Sequence, residues 1–126
     1  MIPLAAIGAI LVAHFIADFI FQTQWMALNK STTMVALTAH VIQYTITMGA
    51  IVSIVALTGM GFNVGAALGY WIILNGLAHF CTDALTSRAS KAAFESGNNK
   101  RFWIIIGADQ MTHGLCLFGS YVWLLT

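Results

Sequence analysis

Residues 34–58 read MVALTAHVIQYTITMGAIVSIVALT, an apolar stretch that contains no Asp, Glu, Lys or Arg. A helix that crosses a lipid bilayer needs roughly 20 mostly apolar residues, so this stretch is long enough to span one. Three other stretches have a similar length and character. We therefore predict four transmembrane helices, at about 4–28, 34–58, 66–87 and 102–125.

The composition of the chain supports the same fold class. Of its 126 residues, 60% are hydrophobic and only 7% are charged, whereas a soluble domain carries about a quarter charged residues. The mean hydropathy is +0.86. The net charge of +1 leaves no basic surface for nucleic acid, and a disordered chain or a disulfide-stapled secreted module is also excluded. We expect an all-α integral membrane four-helix bundle that forms a single transmembrane domain over residues 1–126.

The basic residues predict the orientation of this bundle. All five lie in or beside the first and third connections between the predicted helices, namely Lys30, Arg88, Lys91, Lys100 and Arg101. Short connections that are rich in Lys and Arg stay cytoplasmic. Both termini and the turn at 59–65 are therefore expected to lie outside.

Seven ionisable side chains lie inside the predicted helices, where a single Asp costs on the order of 2.5–3.5 kcal/mol. Counted from the inner helix ends, they fall between the inner side and a point just past the midplane. In each helix, polar residues recur every four positions and form one stripe. Because neighbouring helices lie about 8–10 Å apart, the stripes can converge. The seven residues are His14, Asp18, His40, His79, Asp83, Asp109 and His113.

Buried carboxylates and imidazoles in this number indicate a metal site. A divalent cation offsets the repulsion between the carboxylates and is bound by neutral imidazoles. Seven ligands exceed the needs of one ion, so we predict two divalent transition-metal ions, of zinc, iron or manganese. Asp18 or Asp83 is the predicted acceptor of a proton from water. A proton-relay network of carboxyls and histidines without metal is the alternative. Candidate substrate contacts are Gln22, Tyr44, Asn75, Arg88 and Gln110.

A short internal repeat indicates how the helices are arranged. Residues 13–18 read AHFIAD and residues 78–83 read AHFCTD. Both copies lie on predicted helices that run in the same direction, and each is followed by a basic connection and a return helix with further His or Asp residues. We expect two helical hairpins related by a pseudo-two-fold axis along the membrane normal, which is a parallel repeat.

Three motifs carry a resemblance to a known family: HFIADFIFQTQW at 14–25, HFCTD at 79–83 and DQMTH at 109–113. They resemble domain-of-unknown-function family 3307, a family of small bacterial and phage membrane proteins, over essentially the whole chain. This resemblance implies a bacterial, or phage-encoded, protein of the cytoplasmic membrane. The chain is more loosely similar, in residue types, to the membrane-bound metal-dependent hydrolases of the LexA-regulated type, and that likeness implies hydrolysis.

The first functional hypothesis is a membrane-embedded metal-dependent hydrolase that acts on a phosphoester or lipid-derived substrate and opens to the cytoplasmic side. The basic third connection would attract an anionic headgroup of a membrane lipid. Two other classes stay open: a metal-ion or proton-coupled transporter or channel, and an accessory protein whose metal only holds the helices together. Four helices make a thin bundle, which is compatible with a homodimer.

Overall fold

The computed structural model describes residues 2–62 and 65–126, and within these ranges the chain contains helices and no strand. The all-α prediction is thus confirmed for the described residues, whereas positions 63 and 64 of the predicted outer turn lie outside them. Five α-helices and one π-helical segment follow each other along the chain. They are α1 (Leu4–Phe15), the π segment (Ile16–Ile20), α2 (Gln24–Asn29), α3 (Met34–Leu57), α4 (Ala66–Glu95) and α5 (Asn99–Leu125).

The helix predicted at 4–28 is not continuous. α1 widens into the π segment, where the N–H of Phe21 donates to the carbonyl of Ile16 at 3.0 Å. Within this segment the carbonyl of Ala17 accepts a hydrogen bond, at 3.0 Å, from the side-chain amide of Gln43 on α3. Because a neighbouring helix supplies this donor, the backbone can depart from α-geometry without leaving the carbonyl unpaired in an apolar surrounding.

α2 begins a short distance after the π segment. The chain bends at Phe21 and Gln22, and the hydroxyl of Thr23 accepts from the N–H of Met26 at 3.2 Å, which caps the new helix. α2 packs on α3. The prediction of one long first helix is therefore wrong, because a threonine cap starts a second helix within it.

The two C-terminal helices extend further towards the basic end than predicted. α4 runs to Glu95 rather than ending at 87, and α5 begins at Asn99 rather than at 102. Residues 88–95 contain no Gly or Pro, so nothing in them stops the helix. α4 ends where Gly97 adopts the left-handed region with φ 71°, and the side chain of Asn98 caps α5. The predicted polar connection is reduced to a short turn.

The four long helices form a closed ring. α1 packs against α3, α3 against α4, α4 against α5, and α5 makes a smaller contact with α1. The two copies of the repeat therefore begin on diagonally opposite helices of the ring, α1 and α4. The end of the ring that is remote from the basic residues has an apolar core, which includes Ile10, Met48, Val52, Trp71, Leu117 and Tyr121.

The surface is apolar over much of its area. In the described residues one helix, α3, is long and apolar enough to cross a membrane, with a mean hydropathy of 1.6, and the apolar segment Leu4–Ile20 is shorter. α4 and α5 are less hydropathic because they carry the polar stripes. Large apolar side chains nevertheless face outward. Five of them are at least 71% exposed: Leu4, Val35, Leu57, Leu85 and Trp123.

Candidate metal site

All seven ionisable side chains that the sequence singled out meet inside the bundle, and all are buried. α1 with its π segment, α3, α4 and α5 each contribute at least one of them. They form three overlapping groups, in each of which one ligand atom per residue lies within 4.8 Å of the others. These groups could hold a metal ion. They are Asp18, His40, His79 and Asp83; His14, Asp18 and His113; and Asp83, Asp109 and His113.

In the first group, Asp18, His40, His79 and Asp83, five of the six separations between ligand atoms are close to those of a tetrahedral metal site. Nε2 of His40 lies 3.1 Å from Nε2 of His79. It also lies 3.2 Å from Oδ1 of Asp18 and 3.3 Å from Oδ2 of Asp83. Nε2 of His79 lies 3.5 and 3.7 Å from the same two oxygens. Ligand atoms around a tetrahedral zinc ion lie about 3.3–3.5 Å apart, given bonds of about 2.0–2.2 Å.

The two aspartates of the first group also reach the neighbouring groups. Oδ2 of Asp18 lies 3.8 Å from Nε2 of His14, and Oδ1 of Asp83 lies 3.5 Å from Nε2 of His113. Each carboxylate thus turns one oxygen to the first group and the other oxygen to a second histidine. A carboxylate placed in this way can bridge two metal ions.

His113 provides a test of whether the residues fit a metal. Both of its ring nitrogens are buried, and neither has a hydrogen-bond partner among the described residues. A buried polar atom without a partner costs about 1–3 kcal/mol. A metal ion bound at one of these nitrogens would remove part of that cost. The set of His and Asp side chains is therefore compatible with a bound transition metal.

Tyr44 and Gln110, which the sequence proposed as substrate contacts, touch the ligands themselves. The hydroxyl of Tyr44 and Nδ1 of His14 are hydrogen-bonded at 3.0 Å, and the Tyr44 ring stacks on His79 with the ring centroids 3.8 Å apart. The Gln110 amide donates to Oδ2 of Asp18 at 3.2 Å and to Oδ2 of Asp109 at 3.0 Å. Both side chains therefore orient ligands.

The structure does not bring two of the other predicted contacts to the cluster. The Asn75 amide donates to the carbonyl of Trp71 and to the hydroxyl of Ser120, at 2.8 and 2.9 Å, on the side of the apolar core. Arg88 is exposed and donates to the carbonyl of Ala84 at 3.1 Å, one turn back on its own helix. Neither residue contacts a ligand.

Lys30 is a site residue that the sequence analysis treated only as an indicator of orientation. Its Nζ donates to Oδ2 of Asp83 at 2.7 Å and lies 3.4 Å from Nε2 of His40. The position of Lys30, ten residues before His40 across a tight turn, is the signal that could have indicated its proximity to His40, but not its contact with Asp83. With neutral imidazoles, the three carboxylates and this one ammonium leave two net negative charges in the cluster.

A cleft of about 580 Å³ leads to the cluster from the basic end of the bundle. Its inner end is lined by Asp18, Asp83 and Asp109, and the predicted contact Gln22 also lines it. Two basic residues, Lys30 and Lys91, lie along its walls. The candidate metal site is therefore accessible from the end that carries the cationic side chains.

Comparison with known proteins gives one match. The family described as "Protein of unknown function (DUF3307)" matches residues 7–125, whereas no curated protein and no solved structure matches the chain. The matched region contains every ligand of the three groups, from His14 to His113. The match spans nearly the whole chain, which confirms the resemblance noted in the motifs, and the protein belongs to the DUF3307 family.

Proposed function

We propose that this protein is a membrane-embedded metal-dependent hydrolase that cleaves a phosphoester at the cytoplasmic face of a bacterial membrane. The observation that carries the proposal is the close approach of Asp18, His40, His79 and Asp83, two of which, Asp18 and Asp83, line a cleft. A metal in a catalytic site needs both a set of protein ligands and a path for substrate and water. The cluster and the cleft supply these two elements.

The distribution of apolar and polar side chains supports embedding in a membrane. Large apolar residues face outward while histidines and aspartates are buried, which is the reverse of a soluble domain. The cleft opens at the end with the basic residues, and such ends stay cytoplasmic. We infer a four-helix transmembrane bundle with its site open to the cytoplasm and both termini outside.

Two ions fit the ligand set best. In this proposal Asp18, His40, His79 and Asp83 would hold the first ion, and His14 and His113 would hold the second together with Asp18 and Asp83. When bound, such ions make water a stronger nucleophile at neutral pH and offset negative charge on phosphate oxygens. Two divalent ions and the Lys30 ammonium exceed the three carboxylates by two positive charges, which complements a phosphate monoester dianion.

The reaction assigned to this site is the hydrolysis of a phosphate ester. The oxygen of water forms a bond to phosphorus, the ester P–O bond breaks, and the alcohol leaves with its oxygen and takes a proton from solvent. The sequence predicted Asp18 or Asp83 as acceptor of the proton lost by water, but in this proposal both would be ligands of the two ions, whereas Asp109, whose Oδ2 also faces Nδ1 of His113 at 3.6 Å, would be a ligand of neither. We assign this role to Asp109, which lines the cleft beside them and is oriented by a hydrogen bond from Thr86 at 2.5 Å.

Elemental analysis and phosphate release test the proposal together. Gently purified wild-type protein should contain close to two zinc, iron or manganese ions per chain and release phosphate from at least one member of a phosphomonoester panel. Asp83→Ala removes a carboxylate shared by two groups and should lower the metal content. Asp109→Asn should retain the first ion and lose at least about 100-fold in turnover. Wild-type protein that holds its metal and cleaves nothing in the panel would contradict the hydrolase assignment.

The apolar core argues against a transport path. Ile10, Val52, Trp71 and Leu117 fill the end of the ring beyond the cluster, and all four are at most 2% exposed. In the residues described, no His, Asp, Glu, Lys or Arg side chain is buried at that end. We therefore expect no zinc or manganese flux into proteoliposomes. Flux that is abolished by His79→Ala would instead favour a transporter.

A further inference from the structure

The cleft has an order of polarity along its length that indicates what it binds. We propose that its ligand is an anionic lipid, a phosphate-bearing amphiphile that enters with its headgroup first. The phosphate lies at Lys30 and the metal ligands, and the hydrocarbon chain runs past Phe94 and Phe102. This inference rests on the proposed function and specifies the substrate class of that site.

The side chains that α4 contributes to the cleft follow this order of polarity. From the inner end outward they are a carboxylate at Asp83, hydroxyls at Ser87 and Ser90, and an aromatic ring at Phe94, each separated from the next by three or four residues. That spacing keeps them on one face of the helix. Lys91 and Glu95 also line the outer part, where they pair with each other at 3.6 Å, so within about three turns the wall formed by α4 changes from a buried carboxylate to an aromatic ring beside an ion pair with no net charge.

The wall formed by α5 changes in the same direction. Gln110 lies at the inner end, Ile106 one turn further out and Phe102 another turn beyond it, all lining the cleft. Across the cleft, Phe19 and Leu28 provide apolar surface and are 47% and 67% exposed. A small water-soluble phosphoester has nothing to place against this outer part, whereas a lipid chain buries apolar area there.

The outer part of the cleft also joins the apolar surface of the bundle. Phe94 lines the cleft and is itself 64% exposed, and Leu28 on the opposite wall is exposed to a similar extent. The apolar lining of the outer cleft thus continues onto exposed apolar side chains of the bundle surface, which a hydrocarbon chain can contact.

With the two proposed metal ions bound, the inner end of the cleft would carry a net positive charge, which favours an anionic headgroup. Lys30 contributes an ammonium at the depth of the ligands, where its Nζ lies 2.7 Å from Asp83. Lys91 lies further out and is paired with Glu95 at 3.6 Å, so the outer walls add little net charge. A zwitterionic headgroup would bring a second cation next to Lys30, which disfavours it.

Equilibrium binding to the full-length, metal-loaded protein in detergent micelles tests this inference. The probes are a non-hydrolysable phosphonate analogue of dihexanoyl phosphatidic acid, the matching analogue of glycerol 3-phosphate, and dihexanoyl phosphatidylcholine. We expect the first probe to bind at least about tenfold more tightly than either of the others. Equal affinity for the two anionic probes would overturn the inference, because it would mean that the apolar walls contribute nothing.

Matched variants test where the hydrocarbon chain of the lipid lies in the cleft. Phe102→Ala should weaken binding of the phosphatidic acid analogue about fivefold or more and leave the glycerol 3-phosphate analogue unchanged, since one aromatic contact is lost. Trp123→Ala is the control, because Trp123 is 77% exposed and does not line the cleft. Phe94→Ala alters an exposed side chain and gives a second reading if Phe102→Ala disturbs the fold. Unchanged lipid affinity in both Phe variants would contradict the inference.

Different experimental results would contradict the lipid inference and the proposed hydrolase function. If the lipid analogue binds as expected but natural phosphatidic acid is never cleaved, the site is a lipid-binding site and the hydrolase assignment fails. If glycerol 3-phosphate is cleaved and the acyl chains bring no gain in affinity, the hydrolase assignment stands and the lipid inference fails.

Discussion

Nζ of Lys30 lies 2.7 Å from Oδ2 of Asp83, the same oxygen that faces Nε2 of His40 at 3.3 Å in the first group. The ammonium and a metal ion therefore compete for one carboxylate oxygen. An ammonium is a compact point charge on a flexible stem, so it can leave when a divalent ion binds. We expect this competition to lower the affinity of the proposed first metal position.

Lys30→Met should therefore bind zinc more tightly than the wild type, by about tenfold. A competition titration against a chromophoric chelator in detergent micelles measures the change. Lys91→Met is the matched control, because Lys91 lines the same cleft but pairs with Glu95 and contacts no ligand. An unchanged or weaker zinc affinity for Lys30→Met would show that the lysine does not compete with the metal.

Gly76 allows α3 and α4 to approach closely beside the site. A Cβ atom at this position would clash with the side chain of Thr45. The hydroxyl of Thr45 donates a hydrogen bond to the carbonyl of Val41 at 2.8 Å, which fixes its position. Gly76→Ala should destabilise the protein by about 1–3 kcal/mol, visible as a lower Tm in tryptophan fluorescence. Gly107→Ala, where nothing lies within 4 Å, should be neutral or slightly stabilising. If Thr45→Ala in the same chain does not restore part of the loss, the clash is not its cause.

Gln43 supports the π segment that carries Asp18. Gln43→Leu removes the donor to the carbonyl of Ala17, which should cost about 1–3 kcal/mol of stability and displace Asp18 next to it. Zinc affinity should fall together with Tm. The amide of Gln43 also donates to Thr47 at 3.1 Å, so Thr47→Val removes that contact alone and should leave zinc binding intact. Equal effects of the two substitutions would mean that the Ala17 carbonyl is not the important partner.

The orientation of the protein in the membrane can be measured with fused reporter enzymes. Alkaline phosphatase fused after Thr126 should be active, because that terminus is predicted to lie outside, whereas the same enzyme inserted at the turn around Gly97 should be inactive. The reverse pattern would open the cleft to the outer side and remove the cytoplasmic leaflet as the source of substrate.

The ligands could be predicted from the sequence because a helix repeats every 3.6 residues whatever it packs against. His79 and Asp83 share a face for that reason alone, and so do Asp109 and His113. The same geometry would have excluded Arg88: it follows Asp83 by five residues, which turns it about 140° away from that carboxylate.

The structural features that the sequence did not predict depend on contacts between helices. The bend after the π segment lies in Phe21 and Gln22, and no Gly or Pro marks it. It needs Gln43, a residue of another helix, to bind the freed carbonyl. The contact between Lys30 and Asp83 joins positions far apart in the chain, so spacing along one helix could not predict it.

The two walls of the cleft belong to different parts of the molecule. α2 packs on α3, whereas the facing wall is formed by α4 and α5, and in the described chain no backbone contact joins α2 to either of them. The link between the six-residue α2 and the opposite wall is therefore the side chain of Lys30, which directly follows α2 and donates to Asp83. If the proposed hydrolase releases a bulky product by an outward shift of α2, we expect that shift to break the contact between Lys30 and Asp83.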